Sequence, residues 1–469
     1  MKLYPRWTTT LRRIILALAA AATIVAAGYV EEDWRGERAL RRFTRECADE
    51  GKPLDYDFYK PAPIPDAENM FRAPLLARFF NSVDADRPAW EAYERGKPPL
   101  EKMSEVMGNW RQGRPSDLTK AFAILGNTPQ SGPDADPKAA ARLILDRLKE
   151  IEPDLDGLGS AARQRPQSQI PFGFSLLPSF RALRFFTRAL TLRAVAEIEL
   201  GRNDDAFRDV YASLRLAEGA ERFPHHISLL MANVMVSLSL QPFWEGCVKG
   251  VWSEGQLEAF QEIFSRIHPL HELPVAFAAG RAAYEAGYVV DSRRQYWMPK
   301  GWWKINVVRF FQLHAGGGDP LWFDPAQERV DLASIERADA LVAELSHSYS
   351  PFDWLIRHEA WGTKITVFTA AEHTQLTLAR TACALERYRL VHGTYPAGLD
   401  SLVPQFLESV PHDVIDGAPL RFECADGSQF RLYSVALSGI DEHSWPRKPA
   451  VKGWETKEGY WAWVQPPRS

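Results

Sequence analysis

The histidines are the first residues whose spacing could support chemistry, and none of them completes a catalytic or metal-binding motif. His358 is followed by glutamate but lacks the second histidine of H-E-x-x-H, so no zinc-protease site is predicted. His268 and His271 lie three residues apart, but an intervening proline is expected to break the helix that would present them together. His225 and His226 are adjacent and point in different directions on a helix or a strand. We therefore predict ordinary surface or capping roles for these histidines.

Cysteine spacing gives no catalytic or metal site either. No C-x-x-C pair occurs among the four cysteines, which are Cys47, Cys247, Cys383 and Cys424. Cys383 and Cys424 both fall on predicted core faces, where they could form a disulfide in an oxidising compartment or remain buried free thiols. No G-x-S-x-G elbow is present. Hydrolase chemistry would therefore have to come from residues brought together by the fold.

Aromatic residues cluster late in the chain and allow two interpretations. The cluster contains Tyr296, Trp297, Trp302, Trp303, Phe310, Phe311, Trp322 and Phe323. Such rings could form a surface that contacts sugars or a membrane. They could also form the core contact between the helical body and the last domain. The roughly helical spacing of Trp303, Val307 and Phe310 favours the core interpretation.

The overall composition excludes one class of function. The chain has 469 residues, which is enough for two or three domains with an ample core. Its net charge of -4, with 25% charged residues, predicts no strongly basic face. A nucleic-acid-binding protein is therefore not expected.

The N-terminus predicts a membrane anchor. Basic residues in segment 1–13 precede the apolar segment 14–30, and acidic residues follow it. This polarity places the N-terminus inside and the remainder outside the cytoplasm. A cleavable signal peptide, with a small-residue site near Ala27, is the alternative. In both cases the body is expected outside the cytoplasm.

The rest of the chain predicts a mainly α protein in three parts. Residues 31–135 are expected to be a proline-containing linker with short helices, 136–375 an α-helical body, and 376–469 a small α+β domain. Asp136 is expected to cap a helix that begins at Pro137. A helical hairpin is predicted from Ser179 to Leu200 and from Asn203 to Glu218, with Gly219 ending its second helix. It is similar to a tetratricopeptide repeat, but no second copy follows.

Turn signals divide the C-terminal part into short elements. A helix is expected to end at Gly393, a second short helix runs from Leu399 to Val410, and a β-hairpin follows in 420–434. This order resembles the C-terminal part of the major pseudopilins of type II secretion systems. The matching residues are Ala384, Tyr388, Gly393, Tyr395, Pro396, Leu399, Leu402, Val403, Pro404, Val410, Pro411, Asp413, Asp416, Gly417, Pro419, Leu420, Phe430, Tyr433 and Ser434.

The resemblance implies a calcium site. Major pseudopilins bind calcium in the loop after the hairpin, and here that loop contains Asp441 and Glu442, with Asp413 or Asp416 as a further oxygen ligand unless these two cap their own turns. The glycines usual after the acidic pair are replaced by His443 and Ser444. No pilin-type Phe-Thr-Leu-Ile-Glu start precedes the membrane helix, so polymerisation as a pilin is not expected.

Two functions follow as hypotheses. The first is a single-pass protein of a bacterial inner membrane with its body in the periplasm, acting as a structural or interaction component of a secretion- or envelope-related assembly. The segment Pro65-Asp66-Ala67-Glu68-Asn69 resembles one in uncharacterised bacterial extracytoplasmic proteins, which fits this location. The second hypothesis is an extracytoplasmic enzyme or glycan-binding protein that uses the aromatic region 296–323.

Overall fold

The computed structural model of the chain describes residues 5–80, 90–95, 97–98, 100–126, 135–172, 176–288, 299–314, 322–324, 327–359, 362–425, 427–435 and 462–465. Helices dominate these residues, which confirms the mainly α class. The α-helices are α1 (Pro5–Asp49), α2 (Pro74–Ala77), α3 (Leu100–Met103), α4 (Lys120–Ile124), α5 (Pro137–Leu148), α6 (Glu152–Gln164), α7 (Leu176–Glu199), α8 (Asn203–Glu221), α9 (His226–Lys249), α10 (Glu254–Arg266), α11 (Pro269–Tyr288), α12 (Lys300–His314), α13 (Leu332–Ser346), α14 (Trp354–Glu359) and α15 (Gly362–His392).

Short strands form two antiparallel sheets in the described residues. The strands are β1 (Phe323–Asp324), β2 (Arg329–Val330), β3 (Arg421–Ala425), β4 (Gln429–Tyr433) and β5 (Ala462–Gln465). The first sheet pairs β1 with β2, and the second has the order β3-β4-β5. Phe422 lies opposite Leu432 in the predicted hairpin, while Leu432 also lies opposite Trp463 of β5.

Two compact units divide the chain differently from the predicted ranges. Unit 1 comprises Met1–Tyr59, Phe277–Leu321 and Ile335–Thr363, and unit 2 comprises Lys60–Ala276, Trp322–Ser334 and Lys364–Ser469. The predicted boundary between 375 and 376 falls inside α15. The C-terminal segment therefore folds together with most of the helical body.

Unit 1 is built on the long N-terminal helix. The apolar residues of segment 14–30 are exposed, and α1 continues beyond them without a break. Gly36 of α1 and Gly301 of α12 let the two backbones meet, since a Cβ built on Gly36 would lie 2.2 Å from the Gly301 Cα. The Asp33 Oδ1 accepts a hydrogen bond from the Gly301 N–H at 2.8 Å. The charged part of α1 is thus one side of a helix pair.

The aromatic cluster packs inside unit 1 in a way that neither interpretation predicted. Phe311 is buried and stacks on Phe43 of α1 with 6.1 Å between ring centroids. Trp303 packs on Trp354 at 5.7 Å. These described rings of α12 therefore pack within unit 1, against α1 and α14. Tyr296 and Trp297 lie outside the described residues, and Trp322 and Phe323 are buried in unit 2.

The predicted helical hairpin forms the centre of unit 2, with one correction. Helices α7 and α8 pack against each other, and Gly201 between them has a left-handed backbone with φ of 75°. Gly219 does not end the second helix, which continues to Glu221. A Cβ on Gly219 would lie 2.1 Å from the Phe71 Cε2, so this glycine provides room for a core ring. Its role is packing rather than helix termination.

The described residues between 60 and 126 contribute to the core of unit 2 instead of forming a linker. Phe71, Phe79 and Trp90 are fully buried, and Phe79 meets Trp90 edge to face at 5.5 Å. The Asn69 Nδ2 donates a hydrogen bond to the Gln169 carbonyl at 2.8 Å, and its Oδ1 accepts one from the Gln169 N–H at 3.1 Å. The Pro65 to Asn69 segment therefore has a structural role in this fold.

Local signals placed several boundaries correctly. Asp136 caps α5 by accepting from the Lys138 and Ala139 N–H groups at 2.9 and 3.2 Å. Gly393 follows α15 with φ of 81°. The predicted helix from Leu399 to Val410 is shorter, since only Leu399–Leu402 forms a 3₁₀ turn. Cys383 and Cys424 are free thiols, as are the other two cysteines.

Two helices in the described part are long and apolar enough to cross a membrane. One is the Thr9–Asp49 portion of α1, which is exposed and near the N-terminus, where signal sequences meet the same criteria. The other is α9, whose apolar stretch is mostly buried, as in the core helix of a soluble protein. Helix α1 is therefore the candidate anchor.

Candidate anion-binding cavity

A cavity of about 480 Å³ in unit 2 is lined by several ionisable side chains. Its size is within the range of small-molecule sites. The ionisable side chains of its lining are His268, Glu328, Arg329, His373, Arg380, His412 and Asp416. The apolar part consists of Phe264, Ile267, Leu376, Val410, Pro411 and Val414. A ligand with both an anionic and an apolar part would match this lining.

Helix α15 supplies one wall through regular spacing. His373, Leu376, Thr377 and Arg380 occupy positions i, i+3, i+4 and i+7 of this helix. Residues with this spacing lie on one helix face. The wall therefore alternates ionisable and apolar groups over two turns.

His268 and His271 come together, contrary to the expectation that the proline between them would separate them. The proline is the first residue of α11, a position where its missing N–H is not needed. The His268 carbonyl accepts from the His271 N–H at 2.9 Å, and the two rings stack with centroids 5.5 Å apart. His268 therefore stands at the start of a helix and faces the cavity.

The β1–β2 turn places a carboxylate beside these rings. Glu328 has a left-handed backbone with φ of 48°, which is uncommon for a residue other than glycine. Its Oε1 lies 2.7 Å from the His271 Nε2. The Val330 N–H donates to the Val414 carbonyl at 2.8 Å and fixes the hairpin to the segment that forms the opposite wall.

Burial keeps two of the imidazoles neutral at neutral pH. It lowers the pKa of His373 to about 4, although the nearby Glu328 carboxylate opposes the shift. Burial also lowers the pKa of His268, and the neighbouring His271 adds to this effect. Burial alone would raise the pKa of Glu328, but His373 and the hydrogen bond to His271 outweigh it and lower that pKa. The cavity thus offers neutral imidazoles and an ionised carboxylate.

Arg380 and Arg329 are the arginines of the lining, and neither forms a salt bridge with the residues that the structure describes. Asp416 is ion-paired with Arg421, and Glu328 is hydrogen-bonded to His271. Arg380 forms no salt bridge or side-chain hydrogen bond with the described residues, and its Nε is buried without a partner. Burial lowers the pKa of Arg380, and the more distant Glu328 and Glu408 charges oppose this. Arg329 likewise has no salt bridge within the described chain.

The residues predicted to bind calcium are not brought together within the described chain. Asp441 and Glu442 lie outside it. Asp416 accepts from the Ala418 N–H at 2.9 Å and pairs with Arg421, which lowers its pKa against the effect of burial. Asp413 accepts from the Ile415 and Val435 N–H groups at 2.9 and 2.7 Å. In the described residues no three His, Cys, Asp or Glu side chains are placed to hold a metal ion.

The cavity was missed from sequence because its walls come from four separated segments. The one local signal was the spacing of His373 and Arg380 on an otherwise apolar helix face. Chain comparisons add no further assignment, since no family model, curated protein or solved structure matches the chain.

Proposed function

We propose that this protein is a membrane-anchored, extracytoplasmic receptor for a small amphipathic anion, such as a carboxylate or phosphate ester with an apolar group. The observation behind the proposal is Arg380, a largely buried guanidinium in the cavity wall whose Nε has no hydrogen-bond partner among the described residues. Burying an unpaired charge is unfavourable, and a bound anion would remove that penalty through a charge-assisted hydrogen bond.

The apolar half of the lining supports an amphipathic ligand rather than a free inorganic anion. Leu376 lies one turn before Arg380 on α15, and Phe264 and Ile267 come from the end of α10. A ligand could place its charged group at Arg380 and its apolar group against these side chains. The neutral His268 and His373 rings would supply hydrogen bonds to the ligand, and Arg380 would supply the positive charge.

The location outside the cytoplasm belongs to the same proposal. It is supported by the basic residues before segment 14–30, the acidic residues after it and the unbroken course of α1. The bacterial inner membrane is the proposed site, with the body in the periplasm. The glycan-binding alternative has lost support, because the described rings of α12 are packed against other side chains.

A thermal-shift comparison on the full chain in lipid nanodiscs tests the ligand class. The probes are 3-phenylpropionate, phenyl phosphate and the neutral 3-phenylpropanol. We expect the two anions to raise Tm and the alcohol to leave it unchanged. The Arg380→Gln variant should lose the response. Arg147→Gln, which changes an exposed arginine of α5 outside the cavity, should keep it. An equal response to the alcohol would refute an anion site.

A second candidate function is the docking of a partner protein on the C-terminal sheet by strand addition. It is favoured by the position of β3, which is an outer strand of the described sheet and exposes Glu423 and Ala425. A photo-crosslinking residue at Ala425 should give one discrete adduct in native membranes, and the same residue at Arg147 should not. No adduct at Ala425 would remove this candidate.

A further inference from the structure

The first turn of α12 is held where the apolar part of α1 ends. The Gly301 N–H donates a hydrogen bond to the Asp33 Oδ1 at 2.8 Å, and the Trp302 Nε1 donates one to the Glu32 Oε2 at 3.0 Å. Glu32 and Asp33 are the second and third residues after segment 14–30. The start of α12 is therefore tied to α1 directly beyond its apolar segment.

From this point α12 runs beside α1 in the same direction. Gly301 meets α1 at Asp33, whereas Phe311 stacks on Phe43 with 6.1 Å between ring centroids. The contact has thus moved from position 33 to 43 on α1 and from 301 to 311 on α12. The first turn of α12 is close to the apolar segment, and the rest of the helix leads away from it.

A retained α1 anchor, as in the proposed function, places this first turn in the headgroup layer of the bilayer. That layer is about 5–7 Å thick on each side of a hydrocarbon core of about 30 Å. Glu32 and Trp34 lie two and four residues beyond Val30, which corresponds to about 3 and 6 Å along the helix axis. The Trp302 indole is bonded to Glu32, so it lies at the same depth.

The side chains at this depth are of the kinds that the membrane interface favours. Trp34 is 52% exposed and Tyr29 38% exposed, Trp302 is half-buried, and Lys300 is exposed. Tryptophan and tyrosine are enriched at this level because an apolar ring carries a polar N–H or O–H. A lysine can keep its apolar stem against the surface while its ammonium group stays in water. Together these residues form a surface suited to phospholipid headgroups.

We propose that unit 1 rests on the bilayer through the first turn of α12, with Lys300 and Trp302 in the phospholipid headgroup layer beside Tyr29 and Trp34 of α1. Two helices then contact the membrane surface instead of one. This contact fixes the orientation of unit 1, which a single flexible tether would not do. None of the four residues lines the anion-binding cavity, so ligand binding there does not depend on this contact.

Fluorescence quenching by nitroxide lipids tests this contact on the full chain in nanodiscs. A fluorescent amino acid replaces Lys300, Gln312 or Ile24 in separate variants, and the nitroxide is carried on the headgroup or in the middle of the acyl chain. Headgroup nitroxides should remove most of the emission at position 300. Position 312 is the matched control, because it is also exposed on α12 but lies about 18 Å further along the helix and should keep its emission.

Ile24 separates this inference from the proposed anchor. It is 72% exposed within the apolar segment, so acyl-chain nitroxides should quench it. Quenching at position 24 without quenching at 300 would overturn the contact of α12 and leave the anchor in place. An absence of quenching at position 24 would remove the anchor and the contact together. Equal headgroup quenching at 300 and 312 would also overturn the proposal, because α12 would then lie along the membrane surface.

Photo-labelling of the unaltered chain gives a second measurement that needs no substitution. With a lipid that carries a diazirine on its headgroup, adducts should map to Lys300 or Trp302 and not to Gln312. Adducts at Trp34 alone would show that only α1 reaches the headgroup layer, which would contradict the proposal.

Discussion

At the level of single residues, the charge of Arg380 distinguishes the cavity from the other polar clusters of unit 2. The buried Arg193, for comparison, is held by Asp209 through two hydrogen bonds of 2.5 and 2.6 Å, and Arg215 is held by Glu218 at 2.7 Å. Such pairing stabilises the positive charge within the protein. Arg380 has no equivalent partner among the described residues, which is why we assign its counter-ion to a ligand.

His373 predicts a pH dependence of stability. Its pKa is about 4 in the folded protein and 6.5 in the ordinary state, so the unfolded chain binds the proton more readily. The stabilising contribution is complete above pH 6.5 and is lost progressively as the pH falls towards 4. Between pH 7.5 and 5.5 the native protein should lose about 1 kcal/mol more stability than His373→Gln.

Chemical denaturation of both proteins at the two pH values measures this difference. The groups around His373 are Glu328, His268, His271 and Arg380, and they are the same in both proteins. Equal pH dependence in the two proteins would mean that His373 is not buried in its neutral form.

The close packing at Gly219 predicts that adding one methyl group there lowers the stability of the protein. An alanine Cβ there would overlap the Phe71 ring, so Gly219→Ala should destabilise the protein by about 1–3 kcal/mol despite the better helix propensity of alanine. Gly157→Ala is the control, because a Cβ at Gly157 in α6 meets nothing within 4 Å. It should be neutral or stabilising by up to about 1 kcal/mol. Equilibrium unfolding in urea distinguishes the two, and a neutral Gly219→Ala would contradict the observed packing.

At the scale of elements, signals confined to a few residues were predictable and contacts between distant segments were not. The capping of α5 by Asp136 and the turn at Gly393 depend on adjacent residues, so the sequence pattern located both. Phe71 and Trp90 were assigned to a linker because their packing partners come from later helices. The stacking of His268 on His271 was missed because a proline at the first helical position starts a helix instead of breaking one.

The close contact between α1 and α12 leads to a prediction about how these two helices pack. A Cβ on Gly301 would lie 1.8 Å from the Glu32 carbonyl oxygen, so Gly301→Ala should force the two helices apart. Hydrogen exchange in segment 300–314 should then become faster. Gly28→Ala changes the same partner helix where nothing lies within 4 Å and should leave that exchange unchanged. Slow exchange in both variants would argue against the close helix contact.

The whole molecule combines a candidate membrane anchor with a unit whose cavity is formed by widely separated segments. If α1 is retained as proposed, the cavity stays at the outer surface of the membrane. The calcium loop implied by the pseudopilin resemblance remains a prediction, since Asp441 and Glu442 lie outside the described residues. The resemblance itself remains a hypothesis based on the matching residues between Ala384 and Ser434.

The membrane topology of the whole chain can be tested by cysteine labelling. A cysteine at the exposed Ser428 should react with a membrane-impermeant maleimide in spheroplasts, whereas one at Lys2 should react only after lysis. The native chain is the control for background labelling at the half-buried Cys424. Labelling at Lys2 in intact spheroplasts would reverse the proposed orientation.

The central claim is that Arg380 binds an anion, and calorimetric titration of the full chain with 3-phenylpropionate tests it most directly. We expect Arg380→Gln to weaken binding by about tenfold to a hundredfold, because a charge-assisted hydrogen bond is worth about 1.5–3 kcal/mol. Arg380→Lys should retain part of the affinity, since it keeps the charge but loses the guanidinium geometry. Binding of equal strength to all three proteins, or no binding of the anion to the native chain, would contradict the claim.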